Sequence, residues 1–226
     1  MRRALWVTAA LVLAWFSGAR PAAAGDDFQT WHTVELRKGL TSKWEVFFQP
    51  EIRIRDDSSE LFHRESRQGV RFSPSQHLTL GLQYLFARSE NAAGKHRDEH
   101  TGEIDVTPKT TLGPLLLSLR WRLALRTIQG SSGEQEYQMR FMPKAAWPTR
   151  LGNWKLTPYV ADDLFYDYTR DAFNQNRFFL GISFPLKEFQ GAKSFLDLYY
   201  MLQHQLGSTR DWSSNHVLGS KVTIQF

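Results

Sequence analysis

The sequence predicts an all-β protein: a transmembrane, antiparallel, up-and-down β-barrel of about 10 to 12 strands, preceded by a cleaved signal peptide. Three observations predict it. Apolar and polar side chains alternate with period two along most of the chain, in segments of about ten residues or more, the length a tilted strand needs to cross a bilayer. One parity of these segments is crowded with Arg and Glu, whereas the other is almost free of charge, as contact with hydrocarbon demands. An N-terminal export signal is followed by no second long apolar run.

The 226 residues are 42% apolar and 23% charged, enough material for one sizeable domain. The formal charge of +5 owes three of its units to Arg2, Arg3 and Arg20 of the export signal. No Lys/Arg run of the kind that tracks phosphates remains, so nucleic acid is set aside as a partner. The absence of Cys removes disulfides, thiolate catalysis and Cys-ligated metal sites.

Residues 1–24 read as the signal peptide. Arg2 and Arg3 form its charged region, Ala4 to Trp15 its apolar region, and Ala22-Ala23-Ala24 a small-residue cleavage site before Gly25. The apolar stretch is about a dozen residues, short of the about 20 a spanning helix requires. The barrel domain is therefore expected over residues 25–226.

The first clear strand sets Trp44, Val46, Phe48, Pro50, Ile52 and Ile54 against Glu45, Phe47, Gln49, Glu51, Arg53 and Arg55. The pattern recurs in Leu78 to Phe86, in Leu115 to Leu125 set against Ser118, Arg120, Arg122 and Arg126, in Phe178 to Leu186, in Leu196 to Leu202, and in Leu218 to Phe226. Alternation alone does not say which parity faces inward. A soluble barrel of lipocalin type would hide the apolar parity, but the strand length and the near absence of charge favour the membrane form.

Connections and aromatics point the same way. Short turns fall at Ser73-Pro74-Ser75, Gly113-Pro114 and Pro148 to Asn153. Longer polar loops are expected at Ser89 to Arg97, Thr127 to Gln135, Tyr166 to Asn174 and Gly207 to Ser214. Trp44, Phe72, Trp147, Trp154 and Phe184 lie near the short turns, and Phe62, Phe86, Tyr137 and Trp212 near the long loops, which two aromatic girdles would explain. The last strand ends on Phe226, and a terminal aromatic resembles the sorting signal of bacterial outer-membrane proteins; that likeness implies the barrel-assembly machinery and periplasmic chaperones as partners.

Two features fit less neatly. About eleven strands can be counted, whereas single-chain bacterial barrels have an even number, so Phe28 to Leu36 is expected to be irregular or another segment split. Pro50, Pro108, Pro143 and Pro158 fall in strand parities, where each removes a ladder hydrogen bond, so bulges or rim positions are expected there.

The stretch after the signal resembles the domain-of-unknown-function family numbered twenty-four ninety. The pieces that carry the likeness are Glu51-Ile52-Arg53-Ile54-Arg55, Glu99-His100, Arg120-Trp121-Arg122 with Arg126, Asn176-Arg177 ahead of Leu180-Gly181, and Leu198-Tyr199-Tyr200. One departure is Thr101-Gly102, where a basic residue is expected after Glu99-His100. The resemblance implies an outer-membrane barrel and no particular activity.

The strongest constellation of polar residues lies on the hairpin through Gly113-Pro114. With a two-residue turn, Asp105 faces Arg122, and Glu103 lies diagonal to Arg122 and Arg126. Arg120 continues this ladder, and Glu45, Glu51, Arg53, His63, Glu65, Arg67, Arg71, Arg140, Lys144 and Arg177 join it from other strands. Such a lumen either constricts a pore or simply fills a narrow barrel with paired charges, and the second reading is preferred.

His204 and His216 share the apolar parity beside a loop containing Ser213, the arrangement an interfacial phospholipase needs. That loop also holds Ser208, Ser214 and Asn215, and the one serine on the outward parity of a neighbouring strand, Ser220, lies deeper than the His pair, so the enzyme reading stays an alternative. The scattered His residues and the acidic loops lack metal-ligand spacing, and no cofactor or metal is expected. The expectation is an integral protein of the bacterial outer membrane, partnered by its lipid, structural or narrowly plugged; a small-solute channel is the other alternative.

Overall fold

The computed structural model describes residues 27–90, 94–129, 135–188, 191–207 and 211–226. The expected signal peptide lies outside the described residues. Twelve strands follow in chain order: β1 (Asp27–Gly39), β2 (Trp44–Arg55), β3 (Glu60–Ser75), β4 (Leu78–Glu90), β5 (His96–Leu112), β6 (Leu115–Ile128), β7 (Glu136–Ala146), β8 (Thr149–Leu151), β9 (Trp154–Asp167), β10 (Ala172–Pro185), β11 (Lys193–Leu206) and β12 (Trp212–Gln225).

Eleven of them pair in a ring that closes between β12 and β1, while the three-residue β8 folds back on the start of β9. An odd ring cannot alternate direction at every step, and the exception is β1, which runs parallel to β12 from Asp27↔Asn215 to Arg37↔Gln225. This corrects the wholly antiparallel expectation. It also corrects the suspicion about Phe28 to Leu36, which lies within a regular strand bonded on both sides. The chain enters at the end where β11 joins β12, and parallel closure absorbs the odd count.

The connections are more even than expected. Strands β4, β6, β9 and β12 extend into the segments read as long loops, reaching Glu90, Ile128, Asp167 and Trp212. The tightest turns, 76–77 and 113–114, do share one end, and Gly113 supplies the left-handed φ of 58° that its turn requires. None of the three register shifts, at Arg53/Ile54, Phe72/Ser75 and Phe173/Gln175, is at Pro50, Pro108, Pro143 or Pro158, although the second spans Pro74. Instead the ladders skip Thr107 and Pro108 between β5 and β6, and Met142 and Pro143 between β7 and β9. The missing N–H is met by a gap rather than by the expected bulge.

The barrel is polar inside and apolar outside. On β1, Gln29, Trp31, Thr33 and Glu35 are buried, whereas Phe28, Val34 and Leu36 are exposed. Leu82, Ile104 and Leu123 are more than half exposed. Buried polar and charged residues outnumber buried apolar ones, the reverse of a water-soluble domain. The apolar core shrinks to Trp31, Met201 and Val217 with Phe179 and Tyr199 packed on it. Tyr199 lies flat over its cross-strand neighbour Gly219, where an added Cβ would fall 2.0 Å from the ring.

Candidate functional site

The lumen is ringed by a belt of arginines at mid-height. Along one arc it is a chain of alternating ion pairs. Arg53 of β2 bonds Glu51 and Glu65 at 2.7 Å each. Glu65 reaches Arg67 at 3.3 Å, and Arg67 crosses β4, past the inward Leu85 and Gln83, to Glu103 at 3.0 Å. Glu103 meets Arg122 at 3.1 Å. Arg122 grips Asp105 through two hydrogen bonds, Nε to Oδ1 at 2.6 Å and Nη2 to Oδ2 at 2.8 Å. Fork-on-fork pairing of this kind fixes both position and orientation.

The register behind this last pair is the expected one: Asp105 faces Arg122 across β5–β6. Glu103, however, is shared between Arg122 and Arg67, not Arg126, which turns to Glu99 at 2.9 Å and Glu136 at 3.3 Å. Arg126 stands opposite Thr101, so Glu99 and Glu103 are equally spaced diagonals; Glu103 is already held by Arg67 and Arg122, while Glu99 accepts from Thr101 and is left to Arg126.

The other arc is held by rings. Arg120 and Arg140 converge on the same Asp163 oxygen, Arg120 at 3.3 Å. Arg140 lies 4.3 Å from the Phe165 centroid, and Arg177 lies 4.8 Å from it. Arg177 and Arg53 both rest on Trp31, at 4.9 and 3.9 Å, which closes the belt onto the ion-pair arc. Cation–π contact stabilises guanidinium groups where carboxylates are short.

Below the belt, toward the 113–114 turn, Glu35 is fully buried and gathers Arg37, Arg71 and Lys221 at 2.6–2.7 Å, with Glu45 on Arg71 at 3.0 Å. Glu35, Asp163, Glu99, Glu136 and Lys221 escaped the sequence reading. Glu35 and Lys221 do alternate with apolar neighbours and were legible by parity; Asp163 was not, because Asp162 beside it makes both parities of β9 polar.

Space remains between these groups. A cavity of about 830 Å³ runs along the lumen past Arg53, Asp163 and Arg177. A second of about 700 Å³ opens at the β8–β9 end. The two share Arg37, Lys144, Tyr159 and Asp197. Among the described residues no three His, Asp or Glu side chains are grouped to hold a metal ion.

On the outer face the structure rearranges the expected His and Ser cluster. Ser213 takes the inward parity, its hydroxyl 3.4 Å from the Gln205 carbonyl, and meets neither His. Ser214 is the residue opposite His204, with Oγ 2.9 Å from Nδ1. His216 shares a hydrogen bond with the Tyr200 hydroxyl. Beside His204 on β10 is Asn176, whose amide donates to Asp162 at 2.6 Å. This face also carries Arg64 and the bidentate Arg88–Asp98 pair at 2.7 Å, so it is less free of charge than expected, and these groups gather toward the end opposite the 113–114 turn. Phe226 is 59% exposed, and its backbone bonds to Arg37 and Gly39 of β1.

No curated protein matches the chain in sequence. Among the solved structures that match it in fold are the following two. A bacterial polysaccharide outer membrane secretin aligns with TM-score 0.45 and 9% identity over 81% of this chain, which spans 63% of that one. LpxR from Salmonella typhimurium aligns with TM-score 0.45 and 9% identity over 80% of this chain and 83% of that one. The family model described as "Protein of unknown function (DUF2490)" matches residues 28–214, from the first strand into the last, and the chain belongs to that family.

Proposed function

We propose that the protein is an integral β-barrel of the bacterial outer membrane whose lumen is held closed to free ion flow by its charge belt. The observation that carries this is the unbroken run Glu51–Arg53–Glu65–Arg67–Glu103–Arg122–Asp105, spanning β2 to β6 inside a wall whose outer face is apolar. A permeating ion would have to separate pairs whose loss leaves buried, uncompensated charge. The cavities between the pairs are of the size that holds one small polar solute, which suits binding better than a water-filled channel. In planar bilayers the purified protein conducts little or nothing. A large, ion-selective conductance whose selectivity reverses in Arg122→Glu would make the belt a selectivity filter instead.

A second reading, an interfacial lipid hydrolase, is favoured by one contact: Ser214 Oγ within hydrogen-bond distance of His204 Nδ1 on the outer face, with Asn176 on the next strand. In that role Ser214 would be the nucleophile and His204 its base. What speaks against it is that Asn176 spends its amide on Asp162 and orients no second nitrogen of His204. Ester hydrolysis in mixed micelles, present in the unmodified protein and lost in both Ser214→Ala and His204→Ala, would establish the hydrolase; we expect no such activity.

A further inference from the structure

The charge belt does not balance on its ring-held arc. Among the described residues Arg120 and Arg140 have a single carboxylate at ion-pair distance, Asp163, and Arg177 has none; Asp105 and Glu51 lie farther off and are engaged by Arg122 and Arg53. Arg177 stands opposite Asp163 in register but turns to Trp31 and Phe165, and its polar neighbour is the neutral side-chain carbonyl of Gln175, 2.9 Å from Nε when that amide is oriented to accept. The buried Nε atoms of Arg120 and Arg140 have no acceptor. Asp163 has one oxygen, Oδ1, without a donor, so Arg177 could rotate to it. The arithmetic would not change: three guanidinium charges would still face one carboxylate. Burying such a surplus costs several kcal/mol per uncompensated charge in general, and it is tolerable where an anion completes the set.

We infer that this cluster is a binding site for a small, soluble phosphate-type oxyanion. Planar guanidinium forks match the tetrahedral oxygens of phosphate, and the three sit on the wall of the 830 Å³ cavity. The route in is marked by further cations. Lys144 lines both cavities together with Asp197, makes no ion pair among the described residues, and places Nζ 3.7 Å from the Tyr159 centroid. At the mouth Arg150 and Lys155 face each other directly across the β8–β9 ladder, a like-charge pairing that is unfavourable unless anions visit it. The inference rests on the closed-lumen reading only in placing the site inside the barrel; binding and conductance are measured separately.

The test is thermal unfolding of the folded barrel in a neutral detergent, with sodium phosphate against sodium chloride at matched ionic strength. Phosphate raises the unfolding temperature in a saturable way and chloride does not. Arg177→Gln removes surplus charge, so its unfolding temperature in chloride rises above that of the unmodified protein, while its apparent phosphate affinity falls by about tenfold or more. Arg120→Gln behaves likewise and serves if the first variant fails to assemble. Micelles doped with phosphatidic acid give no stabilisation beyond phosphatidylcholine. Equal responses to phosphate and chloride, an undiminished phosphate response in Arg177→Gln or Arg120→Gln, or stabilisation by phosphatidic acid alone would each overturn the site. A bilayer conductance would sink the closed lumen and leave this binding result standing.

Discussion

Arg177 and Asp163 stand directly opposite each other in the β9–β10 ladder and make no ion pair. The carboxylate is occupied by Arg120 and Arg140, so Arg177 takes the faces of Trp31 and Phe165 instead. Aromatic rings thus do in one arc of the belt what Glu and Asp do in the other.

Trp31 is the point where the two arcs meet, being 4% exposed and touched by Arg53 and Arg177. Trp31→Ala should destabilise the barrel by about 3–5 kcal/mol, the range for deleting a buried aromatic, with the lost cation–π contacts included. Trp31→Phe keeps a ring and should cost clearly less. Urea unfolding in lipid vesicles measures both, and equal losses would deny the ring its electrostatic part.

Arg122 is 3% exposed and neutralises Glu103 and Asp105 together. Arg122→Gln alone should cost about 3–5 kcal/mol, because Asp105 is then left without an ion pair and Glu103 with Arg67 alone. Combining it with Glu103→Gln and Asp105→Asn should recover much of the loss, since no charge is then stranded. Were the triple variant as unstable as the single one, the pairs would matter for packing and not for charge.

Gly219 and Tyr199 form a cross-strand pair in which the ring covers the bare backbone. Gly219→Ala should displace Tyr199 and cost about 1–3 kcal/mol as an overpacking change. Gly219→Ala combined with Tyr199→Leu should cost less than the two single changes added together, which unfolding of the three variants would measure; strict additivity would mean the ring does not depend on the glycine.

How much of this was legible in the sequence follows from what is local. Alternation within a strand gave the two parities, the crowding of charge on one of them said which faces inward, and a two-residue turn at Gly113-Pro114 gave the pairing of Asp105 with Arg122. Relations between strands distant in sequence were not legible. The parallel pairing of β1 with β12 is imposed by closing an odd ring, and no residue of either strand encodes it alone. The true partner of Arg126 depended on Glu103 being taken by Arg67 from another strand, and the place of Ser214 opposite His204 was hidden because β12 starts at Trp212, inside what composition marks as a loop. Arg64, Arg88 and Asp98 were missed on the outer face because each lies near a strand end, where polar groups of both parities mix.

The most direct measurement of the central claim, that the apolar face meets lipid, is the stability of Leu123→Arg. Leu123 is 56% exposed near the middle of β6, with Ile104 and Met139 as its cross-strand neighbours. In a bilayer an outward Arg at that depth costs about 2–4 kcal/mol, whereas on a protein facing water an exposed Leu→Arg change stays within about 0.5 kcal/mol. Reversible unfolding from phospholipid vesicles should show the larger loss for Leu123→Arg and only a small one for Leu123→Ala. A Leu123→Arg variant as stable as the unmodified protein would contradict the membrane barrel.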